Sequence, residues 1–347
     1  MSKRILIAMV AGVLCAAADR GDDIADELEL RLANEYAPIL FYDADEPNLP
    51  ASLDRFLSRA ELWFFSEYCR PQQVRIMKWA DARLSDLMRP SCRVPGEVIH
   101  WQGTRSSEKK STFYLTNVPE KERRGGEDRD AWTTYIHAYR NDLGGITLQY
   151  WRFYSYNSSY FLGSAVEFGA HGGDWEAIHV VLKPSAPDRF APAQIRLLGH
   201  HDILTKPWNE VLVEDGHPLI SCEKGGHTSG LMTGKELSER SHRIEHQSWT
   251  GGQVRWPGGR VAVFGSVAML GQKTMPRAGM EWLRYSGLWG MRENSGWYPL
   301  YRSGYWGPAF NETGLRKDGF ISAWCEGISG SGSIVIRKEC YADAVVP

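Results

Sequence analysis

The run from Asp174 to Leu182 constrains the fold more than any other feature of the chain. With the period of a β-strand, Asp174 and Glu176 share one face with the aliphatic residues at 178, 180 and 182. The other face carries Trp175 and His179, so both faces are largely apolar, and we expect other layers to cover the strand on both sides. Burying an unpaired carboxylate is costly. The two carboxylates therefore call for a metal ion, a histidinium, an arginine or a shared proton.

The composition favours a mainly β protein. The chain has 347 residues and is 43% hydrophobic, which is ample for a large core. It contains 14 Trp, 15 Tyr and 35 Gly, a mixture typical of strands joined by many turns. The net charge of -2 gives no reason to expect a nucleic-acid partner.

We predict one elaborate domain with a β-sandwich or jelly-roll-like core over residues 133–264 and a few peripheral helices. The apolar spacing predicts helices near 24–34, capped by Asp22 or Asp23, and near 53–64. A helical and loop segment (19–132) would precede the core, and a Gly- and Trp-rich segment (265–347) would follow it. Within the core, the residues from 133 to 157 read as a hairpin.

The N-terminus has the layout of a cleavable secretory signal peptide. Lys3 and Arg4 precede an apolar run, and small residues ending at Ala18 follow it before a polar stretch. We expect cleavage after Ala18 and a secreted, periplasmic or extracellular mature protein. The apolar run is too short to span a bilayer comfortably, and no later segment has a transmembrane pattern.

An exported protein resides where disulfides persist. The stretch from 325 to 340 reads as a hairpin that would bring Cys325 near Cys340. Cys69 and Cys92 could close a second local loop, which leaves Cys222 as the spare thiol.

The acidic pair and nearby histidines form a candidate site. Asp174 and Glu176, with His171 or His227 completing the shell, would suit a divalent cation: Ca²⁺, Mg²⁺ or Mn²⁺ for oxygen ligands, or Zn²⁺ with histidine added. Glycines beside each histidine would let the backbone approach a ligand closely. Glu176 and His227 are also the candidates for a catalytic base and acid. A buried structural network is the competing interpretation, with Arg152 among the partners.

Other residues are weaker candidates for the site. His200 and His201 end the strand before the one that precedes His227, and one of them could point toward a bound ligand. His179 lies on the face opposite the carboxylates, so we expect it to be a core or surface residue.

Several separated stretches resemble the vacuolar protein sorting-associated protein 62 family. These are "YAPILFYDADEPNLPASLDRFLSRAEL", "YWRFYSYN" with "HGGDWEAIHVVL", "PLISCEKGGHTSG", and the C-terminal "EWLRYSGLWG" and "GYWGPAFNE". Gly226 and Thr228 depart from the Ser and Ala that are usual there, and residues 69–130 match poorly. The resemblance implies a mainly β fold and adds Glu46 as a ligand-binding candidate. It implies little chemistry.

The stretch "AHGGDWEAIHVV" is also similar to the heptapeptide of the necrosis- and ethylene-inducing-peptide-like proteins, which are secreted β-sandwich cytolysins. That resemblance implies a cation site and a sphingolipid head group as ligand. Asp174, Glu176 and His171 match the motif's Asp, Glu and first His, whereas Gly173 replaces its second His.

Three interpretations of function follow. The first is a secreted binding protein, with membrane activity as a further expectation, that holds a divalent cation and a polar lipid or glycan head group. The second is a hydrolase that uses the same cluster directly or through a metal. The third is a sorting or scaffold protein in which the cluster is structural. No nucleophile elbow, P-loop or dinucleotide fingerprint is present.

Overall fold

The computed structural model describes part of the chain, and every structural statement below refers to that part. The described residues are 24–43, 46–66, 72–81, 111–116, 125, 132–141, 143–158, 160–161, 166–167, 170–198, 203–234, 244–245, 253–254, 260–262, 266–271, 276–285, 287–290, 304–310, 312–316, 319–322, 326–328 and 334–336. The predicted signal peptide and the four cysteines assigned to disulfides lie outside these residues, as do His200 and His201.

The described elements are mainly strands, as predicted. The α-helices are α1 (Asp26–Glu35) and α2 (Leu53–Arg59). The strands are β1 (Ile39–Tyr42), β2 (Glu61–Ser66), β3 (Gln73–Lys78), β4 (Ser111–Thr116), β5 (Thr133–Arg140), β6 (Ile146–Asn157), β7 (Tyr160–Phe161), β8 (Val166–Glu167), β9 (His171–Ala186), β10 (Arg189–Leu198), β11 (Ile203–Pro207), β12 (Val213–Glu214), β13 (His217–Cys222), β14 (Ser229–Leu231), β15 (Ile244–Glu245), β16 (Gln253–Val254), β17 (Arg260–Ala262), β18 (Ser266–Met269), β19 (Glu312–Arg316), β20 (Gly319–Ser322), β21 (Glu326–Ile328) and β22 (Ile334–Ile336).

A central six-stranded sheet has the order β11-β10-β9-β6-β5-β18. Its neighbours pair antiparallel except β18, which runs parallel to β5. The long strands β6 and β9 lie in the middle; β6 is buried throughout, and β9 is buried as far as Leu182, after which it is exposed. The predicted hairpin of β5 and β6 is confirmed, and the strand predicted from Asp174 is the centre of the fold.

A second sheet packs on one face of the central sheet, giving a sandwich. It has the order β12-β13-β1-β17, with β14 added beside β13. Leu40 of β1 and Ile220 of β13 share a buried cluster with Ile178 of β9 and Tyr150 of β6. Strand β1 precedes residue 133, so the N-terminal segment contributes to the core of the sandwich.

The opposite face of the central sheet is covered by the β3-β2-β4 sheet and an aromatic C-terminal segment. Trp175 of β9 packs in this layer against Trp282 and Trp289. Strand β9 is therefore covered on both sides, as its two apolar faces predict.

Two local predictions were wrong. The predicted helix at 53–64 ends at Arg59, and residues 61–66 form β2. The alternate residues Leu62 and Phe64 are buried in the layer that the β3-β2-β4 sheet forms with the C-terminal aromatic segment. Helix α1 begins at Asp26 after Ala25, which provides no side-chain cap. His171, which precedes the two glycines of the motif, is the first residue of β9.

Candidate functional site

The acidic pair lies between the two stacked sheets, at the end of β9. Asp174 is opposite Tyr154 of β6, and Glu176 is opposite Arg152. The turn between β13 and β14 supplies His227, and the loop after β1 supplies Glu46. Asp174, His171, His227 and Glu46 converge, with Glu176 next along the strand. We call these five residues the acidic cluster.

His227 links the segments of the acidic cluster. Its Nδ1 donates to Oδ2 of Asp174 (2.9 Å), and its Nε2 donates to the carbonyl oxygen of Asn48 (2.9 Å) and lies 3.5 Å from Oε1 of Glu46. Because a carboxylate and a carbonyl can only accept, both ring nitrogens carry protons and the ring is an imidazolium. The ring stacks on Tyr154 with centroids 3.7 Å apart.

The electrostatics of His227 agree with this geometry. Burial alone would lower its pKa, but hydrogen bonds to Asp174 and Glu46 outweigh it and raise the pKa of His227 to about 10. The ring has no lone pair for a metal in this state. The backbone of His227 has a φ of 60°, a left-handed conformation that is uncommon for a residue other than glycine. The same turn positions Gly225, whose N–H donates to Oε2 of Glu46 (2.8 Å).

Asp174 and Glu176 differ in their surroundings. Asp174 also accepts from Nδ2 of Asn157 (3.0 Å) and lies 3.3 Å from Nε2 of His171. Burial, followed by the charge of Asp174, raises the pKa of Glu176 well above its usual value, against the opposing charges of Arg152 and His227. The pair is thus arranged to hold one negative charge rather than two.

Arg152 provides a second buried cation beside the cluster. It donates from Nη1 to Sγ of Cys222 (3.4 Å) and from Nη2 to Oγ of Ser229 (2.7 Å). Cys222 is a free thiol, as the sequence predicted, and burial raises its pKa, so Arg152 faces a neutral sulfur.

The glycines of the motif meet protein backbone. A Cβ on Gly173, which has a φ of +64°, would overlap the carbonyl of Trp289, and a Cβ on Gly290 would overlap the carbonyl of Gly172. These glycines let the C-terminal aromatic segment cross the start of β9 at close range. The sequence-based expectation was that Gly172 and Gly173 admit a ligand.

The predicted site residues are all buried where they are described. Asp174 and His227 are 0% exposed, Glu176 2%, His171 5% and Glu46 8%. His179 is fully buried on the opposite face, as expected. The sequence did not identify Asn48, Asn157 or Tyr154, although the cross-strand partners of β9 follow once the β6 register is known.

The described part of the chain contains no set of side chains arranged as metal ligands. No group of three or more His, Cys, Asp or Glu side chains there could hold a metal ion. The predicted divalent cation stays a prediction. Among the same residues, no helix is long and apolar enough to cross a membrane.

Comparisons with known proteins assign no family to the chain. No family model matches it, and no curated protein matches it. A solved structure described as NLPPya in complex with glucosamine aligns with a TM-score of 0.27 and 14% identity, over 44% of this chain and 56% of that one. The resemblance to the vacuolar sorting family finds no support in these comparisons.

Proposed function

We propose that the protein is a non-catalytic binding protein that recognises the sugar head group of a glycan or glycolipid. The observation that carries the proposal is that the candidate acid and base are sealed inside the sandwich and hydrogen-bonded or charge-paired there. A catalytic group has to reach its substrate, whereas Glu176 and His227 are 2% and 0% exposed.

The head group would bind at the outer end of the acidic cluster. His171, at this end of the cluster, is buried, and its ring contacts Tyr305 edge to face with centroids 4.8 Å apart. Tyr305 is half-buried. A half-buried tyrosine at the surface can stack on a sugar ring, and its hydroxyl can hydrogen-bond the hydroxyls of the sugar. The resemblance of the β9 motif to head-group-binding cytolysins supports the same ligand class.

The test uses phosphatidylcholine vesicles with and without a glycosylated sphingolipid, together with a glycan array. Wild type is expected to bind the glycosylated vesicles, and Tyr305→Ala to weaken binding by about tenfold or more, since aromatic anchors dominate such contacts. Trp208→Ala is the matched control, because Trp208 is also half-buried and packs edge to face, on Tyr36.

Three outcomes would overturn parts of this proposal. Equal binding by wild type and Tyr305→Ala would remove the site from this end of the cluster. Release of free sugar from the vesicles would make the protein a hydrolase. Loss of binding in a chelator, restored by Ca²⁺ or Zn²⁺, would return the predicted cation to the mechanism.

A further inference from the structure

A cavity of about 110 Å³ lies between the two stacked sheets, beyond Arg152 and away from Asp174. Its walls come from both sheets, through Leu40 of β1, Ile178 of β9 and Val267 of β18. Its rim includes Asn34, which is exposed, and His217, which is half-buried. The cavity therefore extends from solvent toward a buried polar floor.

Two buried polar groups line this cavity with unused hydrogen-bonding capacity. Arg152 is 1% exposed, and its Nε has no hydrogen-bond partner among the described residues. Thr134 is 4% exposed, and its Oγ1 likewise has none within the described part of the chain. A buried donor without a partner costs free energy, so each such group calls for an explanation.

The remaining contacts of Arg152 leave it suited to an anion. Its guanidinium hydrogen-bonds neutral groups, which are the thiol of Cys222, the hydroxyl of Ser229 and the phenol of Tyr42. The carboxyl of Glu176, whose charge also acts on Arg152, has a pKa well above its usual value. Guanidinium groups bind planar carboxylates with good geometry. The aliphatic walls suit a short alkyl group, and a cavity of about 150 Å³ can hold a molecule as large as benzene.

We propose that this cavity binds a small monocarboxylate, with the carboxylate against Arg152 and Thr134 and the short alkyl group against Leu40, Ile178 and Val267. This site is distinct from the head-group surface at His171 and Tyr305. It does not depend on the proposed function. The occupant is defined by its chemistry: one planar negative charge and two to four carbons.

The experiment measures binding of propionate to the intact protein by calorimetry and by ligand-observed NMR, with inorganic phosphate as the comparison anion. Thr134→Val removes the hydroxyl and keeps the shape, and it is expected to weaken propionate binding by about fivefold or more. Thr112→Val is the matched control, because Thr112 is equally buried in β4 and donates to the carbonyl of Phe113.

A second variant tests the volume of the site. Val267→Phe would fill the cavity and is expected to abolish propionate binding, with circular dichroism confirming the fold. The proposal is supported if wild type and Thr112→Val bind propionate alike and the two cavity variants do not. It is overturned if wild type fails to bind propionate at up to about 10 mM, if phosphate binds more tightly, or if the folded cavity variants bind as wild type does.

Discussion

Replacing His227 with leucine is expected to lower the free energy of unfolding by about 3–5 kcal/mol, because the change leaves the buried carboxylates of Asp174 and Glu46 without their shared cation. Chemical denaturation of both proteins at pH 7 measures the difference.

The matched control is His179→Leu. His179 is also 0% exposed, but its ring nitrogens have no hydrogen-bond partner among the described residues, and burial lowers its pKa, so the ring is neutral. Leucine removes an unsatisfied polar group there and should change stability by no more than about 1 kcal/mol. Asp174→Asn should cost less in the His227→Leu background than in wild type, since the two residues are coupled. Equal losses in the two histidine variants would contradict the assignment.

Replacing Gly173 with alanine is expected to cost more than about 4 kcal/mol and to loosen the C-terminal aromatic segment. The new Cβ would overlap the backbone carbonyl of Trp289, which cannot move without displacing the surrounding tryptophan cluster. Urea denaturation gives the stability, and near-ultraviolet circular dichroism reports the packing of Trp282 and Trp289.

Gly144→Ala separates the steric effect from the backbone effect. Gly144 has a φ of +72°, close to that of Gly173, but its Cβ would meet only Pro184 Cγ at 3.9 Å. This control should cost about 1 kcal/mol, the usual penalty for alanine in that conformation. If Gly173→Ala costs no more than Gly144→Ala, the close approach of the two backbones is not required for the fold.

The sequence was informative where a pattern has one physical meaning. The alternation from Asp174 to Leu182 predicted a strand buried on both faces, and the structure places it at the centre of three layers. The cost of two neighbouring carboxylates predicted a counter-charge. The pattern could not decide between a metal and a histidinium, because that choice depends on His227, 53 residues away in the chain, and on the Asn48 carbonyl, 179 residues away.

The role of Gly172 and Gly173 was likewise only partly predictable from the sequence. A Gly-Gly pair indicates close backbone approach, but the sequence does not say to what. The answer here, Trp289 and Gly290, required the long-range packing of the C-terminal segment onto β9. Likewise, the short apolar run at 62–65 is compatible with either a continued helix or a new strand. Pairing with β3 and β4 decides it.

The charge on His227 has a consequence for stability. Its pKa is about 10 in the folded protein and about 6.5 when unfolded, so the cluster's contribution is complete below about pH 6.5 and is lost as the pH rises through about 10. The raised pKa of Glu176 acts in the same direction. The free energy of unfolding should fall by up to about 1.4 kcal/mol per pH unit per proton over that range, and the His227→Leu variant should show a smaller decline.

The central claim is that the buried imidazolium of His227 is the shared counter-charge of Asp174 and Glu46. Nitrogen-15 NMR of histidine-labelled protein tests it directly, with the His227 signals assigned by their absence in His227→Leu. We expect both ring nitrogens of His227 to show the shifts of a protonated imidazolium at about pH 8, where an ordinary histidine is neutral. Shifts of a neutral tautomer at that pH, or a metal-dependent shift of either nitrogen, would contradict the account.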